Sequence, residues 1–221
     1  MVGLRGGRHL HLEARDRHPD PPQRNPAIAA KEIATLDRLS GGRVLLGVGV
    51  GWLREEFEAL GVPFEDRAAR TDAAITAMRR LWSGDPVDVD DGFQTWRSAV
   101  SLPTPTRGAV PIVIGGHSDA AARRAGRLGD GFFPGKGDPE RLSELVGIMR
   151  ATAQEEGRDP DVIEVTAAHQ GLAGNEPMRA VEELAAIGVT RMIVPTLTTD
   201  PAAAHDVYGA FAQRIIGPAN S

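Results

Sequence analysis

The chain has 221 residues, 41% of them hydrophobic and 25% charged, a formal net charge of −5, and no cysteine. This is enough for one globular domain with a sizeable core, and it excludes disulfides, thiolate catalysis and cysteine-ligated metals. With no basic run over the globular part, no apolar stretch near the 18 or so residues of a membrane span, and no visible signal peptide, it argues for a cytoplasmic protein whose partners are neither nucleic acid nor membrane.

Residues 1–22 are crowded with Arg, His, Pro and Asp and carry no helical or strand period. They read as a disordered tail ahead of a domain spanning residues 23–221. His9 and His11 have no further ligand beside them and suggest no metal site. A helix is expected over 26–39, with Asn25 as N-cap and Pro26 at its first position. Its stripe of Ile28, Ile33, Leu36 and Leu39 is expected to face the core. Gly41 and Gly42 supply a turn into a buried strand over 43–48, which carries Val44, Leu45, Leu46 and Val48. Gly47, Gly49 and Gly51 follow at spacing two, and Trp52 opens a short helix over 53–60. A second helix, 64–82, offers Ala69, Ile75, Met78, Leu81 and Trp82 to the core and leaves Arg67, Arg70, Arg79 and Arg80 mostly solvated.

Between 84 and 106 the pattern changes. Val87 and Val89 alternate with Asp88, Asp91-Gly92 signals a turn, and 93–96 returns, so a β-hairpin insertion is expected. Strands at 111–115, 130–134, 162–168 and 191–195 then alternate with helices at 119–128, 138–157, 176–187 and 201–216. Such alternation implies an α/β fold with a parallel sheet.

Gly115, Gly116, His117 and Ser118 form the leading candidate site. They stand where a strand's C-terminal end meets a helix N-terminus, and unpaired N–H groups there suit a phosphate. An ordinary strand-to-helix turn is the alternative. His169, just past another strand, is a rim histidine or a site residue, and His205 is a surface residue. The three histidines share no ligand spacing. Asp130 and Gly131 read as a structural turn. Arg24 and Asn25 face the site or simply cap and solvate a helix. The glycines at 47, 49 and 51 do not fit the G-x-G-x-x-G dinucleotide fingerprint. No G-x-S-x-G motif and no distinct carboxylate pair is present, so no catalytic residue is named.

The run Ile33 to Trp52, IATLDRLSGGRVLLGVGVGW, resembles the luciferase-like monooxygenase family, in particular its branch dependent on the deazaflavin coenzyme F420. The likeness continues through 53–82 and 111–134 and covers roughly 23–216. It implies a partial TIM-type (β/α)8 barrel lacking its first strands: five core strands where a full barrel has eight. It also implies F420, or alternatively FMN, as cofactor, with hydride transfer between the deazaflavin and a small organic substrate. Gly115 to Ser118 would hold the cofactor's phosphate, Gly49 would open room beside the ring, and Trp52 would line the pocket or pack in the core. A homodimer is possible. Read one base later, codons for Glu13 to Pro21 can give KLGTGILIL, an apolar strand like that of the family. An out-of-frame start is therefore weighed against a genuine tail. On that reading residues 43–48 become an edge strand, and the chain is an inactive fragment. A non-catalytic, flavin-binding shortened barrel is a further alternative.

Overall fold

The computed structural model describes residues 21–135, 138–173, 176–193 and 200–216; most of the expected tail, residues 1–20, and the expected strand residues 194 and 195 lie outside them. The described chain divides into two compact units, one of residues 21–115 and 128–130, the other of 116–127 and the residues from 131 on.

In the first unit a 3-10 turn, Pro21–Gln23, leads into α1, Pro26–Ser40. Pro21 and Pro22 are buried, so they belong to the packed structure and not to the tail. Asn25 caps α1 as expected: its Oδ1 accepts from the Ala27 and Ile28 amides at 2.9 and 3.4 Å. Gly41 ends the helix in the left-handed region, φ 72°, which glycine enters without a Cβ penalty. β1 (Leu46–Val48), α2 (Arg54–Ala59), α3 (Arg67–Leu81), β2 (Val87–Asp90), β3 (Thr95–Ala99) and β4 (Ile112–Gly115) follow. β1 pairs in parallel with β4, Leu46 opposite Ile112 and Val48 opposite Ile114. These four side chains are buried, and Leu46 shares an apolar cleft with Ala29, Ile33 and Met78 from α1 and α3. Among the described residues β1 pairs with β4 alone, and Leu45 is 37% exposed. β2 and β3 form the expected antiparallel hairpin.

Of the sequence stripe on α1, Ile33 reaches the core side, in the cleft with Leu46 and Met78, and the other three residues face away. Ile28, Leu36 and Leu39 are exposed, Leu39 by 81%, while Ala29, Ala30, Ala34 and Asp37 are buried. The bulk at the α1–α3 contact comes from α3: Ile75, Met78, Leu81 and neighbouring Trp82 are fully buried, and the Trp82 indole donates to the Ala30 carbonyl at 3.0 Å. Alanines let α1 approach that surface, so its larger residues lie on the far side. Ala69 is exposed, and Ala74 and Ala77 take its expected place. Several arginines expected to be solvated are engaged: Arg67 lies 3.9 Å from the Phe64 ring centroid and Arg70 4.7 Å from that of Phe93.

The buried Asp37 carboxylate ties α1 to two distant segments. One oxygen accepts from the Thr106 amide at 2.7 Å, the other from the Val44 amide at 3.4 Å. Asp130 has a similar role. It accepts from the Ile112 amide at 2.9 Å and from Arg79 at 2.7 Å, which supports its reading as structural.

The second unit carries α4 (Asp119–Leu128, up to Arg127), β5 (Gly131–Phe133), α5 (Pro139–Glu155), β6 (Glu164–Ala168), α6 (Pro177–Ile187), β7 (Arg191–Ile193) and α7 (Pro201–Phe211), the last continued by a π-helical turn, Ala212–Ile216. β5 pairs in parallel with β6, and β6 with β7. α4 and α5 meet at Gly126, where a Cβ would stand 2.6 Å from the Met149 carbonyl oxygen. Parallel strands alternate with helices through both units, apart from the one hairpin, as the α/β reading requires.

Candidate functional site

β4 ends at Gly115, and α4 begins four residues later. Gly116 makes the turn at φ 135°. Its amide donates to the Phe133 carbonyl at 3.0 Å, so that N–H is closed to a ligand. A Cβ on Gly116 would stand 2.8 Å from the Ala121 Cβ. Backbone conformation and internal packing therefore require glycine here without any ligand. His117 and Ser118 are exposed. Ser118 Oγ accepts from the Ala121 amide at 3.2 Å, making Ser118 the N-cap of α4. Among the described residues, no hydrogen bond engages the His117 or Ser118 amide.

The first turn of α4 carries Asp119, whose carboxylate takes a 2.6 Å hydrogen bond from Arg141 on α5 and lies 3.8 Å from Arg123. The Arg141 bond, reinforced by the charges of Arg141 and Arg123, holds the Asp119 carboxyl below its ordinary 3.8. Arg141 also bonds Glu144 at 2.8 Å. Two guanidinium groups and two carboxylates balance, so this turn carries no excess side-chain charge. The Gly116 amide is spent on Phe133, whereas those of His117 and Ser118 stand at the open start of a helix.

In the first unit, Gly49 and Gly115 lie at the C-terminal ends of the paired strands β1 and β4, and both are half-buried. Gly51 follows in the left-handed region, φ 77°. Trp52 is 82% exposed, which removes the core-packing alternative for it. Gly116, His117 and Ser118 belong to the other unit.

The remaining candidates have local roles. Arg24 forms an exposed ion pair with Glu32 at 3.2 Å, and Asn25 is a helix cap. His169 follows β6, and its Nδ1 accepts from the Gly171 amide at 3.0 Å, which shapes the turn Gln170–Ala173. The His205 side chain is 90% exposed on α7. Among the described residues no three His, Asp or Glu side chains gather as a metal site, and no helix is long and apolar enough to cross a membrane. Sequence reasoning did not single out Asp37, Asp119 or Arg141. Asp119 and Arg141 are 22 positions apart, with no periodic signal to pair them. Asp37 gave no clear signal, since it stands beside Arg38 in a helix end of mixed polarity.

The luciferase-like monooxygenase family model matches residues 20–215. An uncharacterized protein of Mycobacterium tuberculosis is 40% identical over 137 residues, which cover 62% of this chain and 47% of that protein. An F420-dependent glucose-6-phosphate dehydrogenase of Mycolicibacterium gilvum is 35% identical over 146 residues, covering 63% of this chain and 43% of the dehydrogenase. The chain thus spans less than half the length of these relatives. Among solved structures, an F420-dependent secondary alcohol dehydrogenase in complex with an F420–acetone adduct superposes with a TM-score of 0.75 at 20% identity, over 86% of this chain and 75% of its own. At that identity the likeness is one of fold.

Proposed function

The chain belongs to the luciferase-like monooxygenase family, and on that premise we propose that it serves an F420-dependent oxidoreductase reaction on a small organic substrate. The observation that carries this reading is the family match over residues 20–215; the F420 dependence of several similar glucose-6-phosphate dehydrogenases directs it to the deazaflavin and not to FMN. When bound, the deazaflavin supplies the hydride chemistry, and the protein's part is orientation and shape. The His117 and Ser118 amides at the start of α4 receive the cofactor's phosphate, and the exposed His117 imidazole adds a donor beside them. Gly49 and Gly115 bring no side chain at the ends of β1 and β4, which leaves those strand ends open to close approach.

The test is titration of the purified chain with F420 and, separately, with FMN, each followed by its own fluorescence, with inorganic phosphate as competitor. Saturable F420 binding that phosphate weakens, and that exceeds FMN binding, is the expected result. Preference for FMN would transfer the reading to a flavin enzyme, and absence of saturable binding of either would overturn it.

A further inference from the structure

His169 stands just past the C-terminal end of β6 and is half-buried, and the chain after it is shaped around its ring. The Gly171 amide donates to His169 Nδ1 at 3.0 Å, and the Leu172 amide to the His169 carbonyl at 3.1 Å. These two bonds close the turn Gln170–Ala173. The Leu172 side chain, fully buried, pins it to the core. Gly171 lies between the imidazole and α6: a Cβ there would stand 2.8 Å from His169 Nδ1 and 2.9 Å from the Ala180 Cβ. Ring, turn and helix are therefore in close contact, with no room for a side chain between them.

The bond from Gly171 fixes the chemical state of the ring. An imidazole nitrogen that accepts an N–H carries no proton, so His169 is neutral with its proton on Nε2. Protonation of Nδ1 turns that acceptor into a donor facing the Gly171 N–H. The amide then loses its partner and meets a cation. The neighbouring charges are already paired. On α6 the residues one turn from Ala180 are Glu176 and Pro177 before it and Glu183 and Leu184 after it, and Arg179 holds both glutamates, at 3.8 and 3.0 Å. Glu164 of β6 bonds Arg191 of β7 at 2.7 Å, and Ala168, next to His169, stands opposite Ile193. Among the described residues no carboxylate forms an ion pair with the His169 ring.

We propose that His169 is a pH-sensitive clasp: as a neutral imidazole it holds the turn Gln170–Ala173 against α6, and as an imidazolium it releases the Gly171 amide and loosens the turn. Imidazole side chains change charge between about pH 5 and pH 8, so the turn is closed at the upper end of that range and open at the lower. It borders the C-terminal end of β6, and loops at that end of a parallel α/β sheet are the ones that meet ligands. No ligand takes part in the clasp, so it stands or falls apart from the cofactor reading.

The experiment follows the His169 ring and the backbone amides of the full chain by solvent-exchange NMR at about pH 8 and about pH 5, in wild type, His169→Asn and His169→Ala. In wild type at about pH 8 the ring should show the Nε2–H tautomer, and the Gly171 amide should be protected. At about pH 5 its protection factor, which removes the intrinsic pH dependence of exchange, should fall by about tenfold or more, while amides within β6 keep theirs. His169→Asn places a carboxamide oxygen two residues before Gly171, an acceptor that does not titrate, so protection should be the same at both pH values. His169→Ala should leave the amide unprotected at both. Equal protection of the wild-type amide at both pH values overturns the proposal, as does an Nδ1–H ring at the higher one. A pH-dependent loss that persists in His169→Asn also overturns it, because another group then carries the change. The wild-type readouts decide the matter even where a variant fails to fold.

Discussion

Gly116 offers the sharpest separation of structural from ligand-binding roles. Substitution by alanine imposes two costs. The first is backbone strain, because a Cβ-bearing residue at φ 135° lies in a region open essentially to glycine, at about 1–3 kcal/mol. The second is steric, because the new Cβ would stand 2.8 Å from the Ala121 Cβ, and overpacking of this kind costs about 1–3 kcal/mol. Gly116→Ala is therefore expected to lose about 2–6 kcal/mol of stability. Ala121→Gly alone loses about 1 kcal/mol, as a glycine inside a helix. The double variant removes the clash but not the strain, so the two changes should couple favourably by about 1–2 kcal/mol. Urea denaturation of the four proteins, with the slope of the transition checked for constancy, gives the cycle. Additivity within about 0.5 kcal/mol would refute the packing argument. It would leave the backbone conformation at φ 135° as the reason for glycine at this position.

Three other outcomes follow from the geometry. Asp37→Ala should cost about 2–4 kcal/mol in chemical denaturation, since the Thr106 and Val44 amides lose their buried acceptor, and Asp37→Asn, which keeps one carbonyl oxygen, should cost less. Ser118→Ala removes the α4 cap and should lower stability by about 1 kcal/mol, read from the denaturation midpoint, while the His117 and Ser118 amides persist and phosphate competition is retained. Arg141→Met should lower the thermal midpoint at neutral pH; because Arg141 depresses the Asp119 carboxyl below 3.8, its stabilisation is fully present above that value, and the gap to wild type should close as the pH falls below it.

Element order was legible in the sequence because glycine, proline and capping residues punctuate this chain at nearly every boundary. Asn25-Pro26 opens α1 and Gly41 closes it, and Gly188 closes α6. Strand lengths were less legible. The apolar run from Val44 to Val48 is five residues long, yet only Leu46–Val48 pair as a strand, since pairing depends on the partner and not on hydrophobicity. The candidate site was legible as a position in the fold: a strand end, a glycine turn and a helix start. The division of labour within it was not. Nothing in Gly115-Gly116-His117-Ser118 says that the second amide is spent on Phe133, or that the serine caps the helix while its own N–H stays open.

Helix α1 shows why periodicity misled where it did. The stripe of Ile28, Leu36 and Leu39 is a real feature of the sequence, and amphipathic spacing does specify a face that is apolar. It does not specify which neighbour that face meets. Against α3 the contact is settled by size: Trp82, Met78 and Ile75 already fill the space, so α1 presents Ala30 and Ala34 and holds Ile28, Leu36 and Leu39 outside. β1 repeats the pattern. Leu46 and Val48 pack inward, whereas Leu45, just before a strand that among the described residues pairs with β4 alone, is partly exposed. The two observations have one cause. The sequence patterns of α1 and β1 each provide apolar surface for two sides, and the described residues cover one of them.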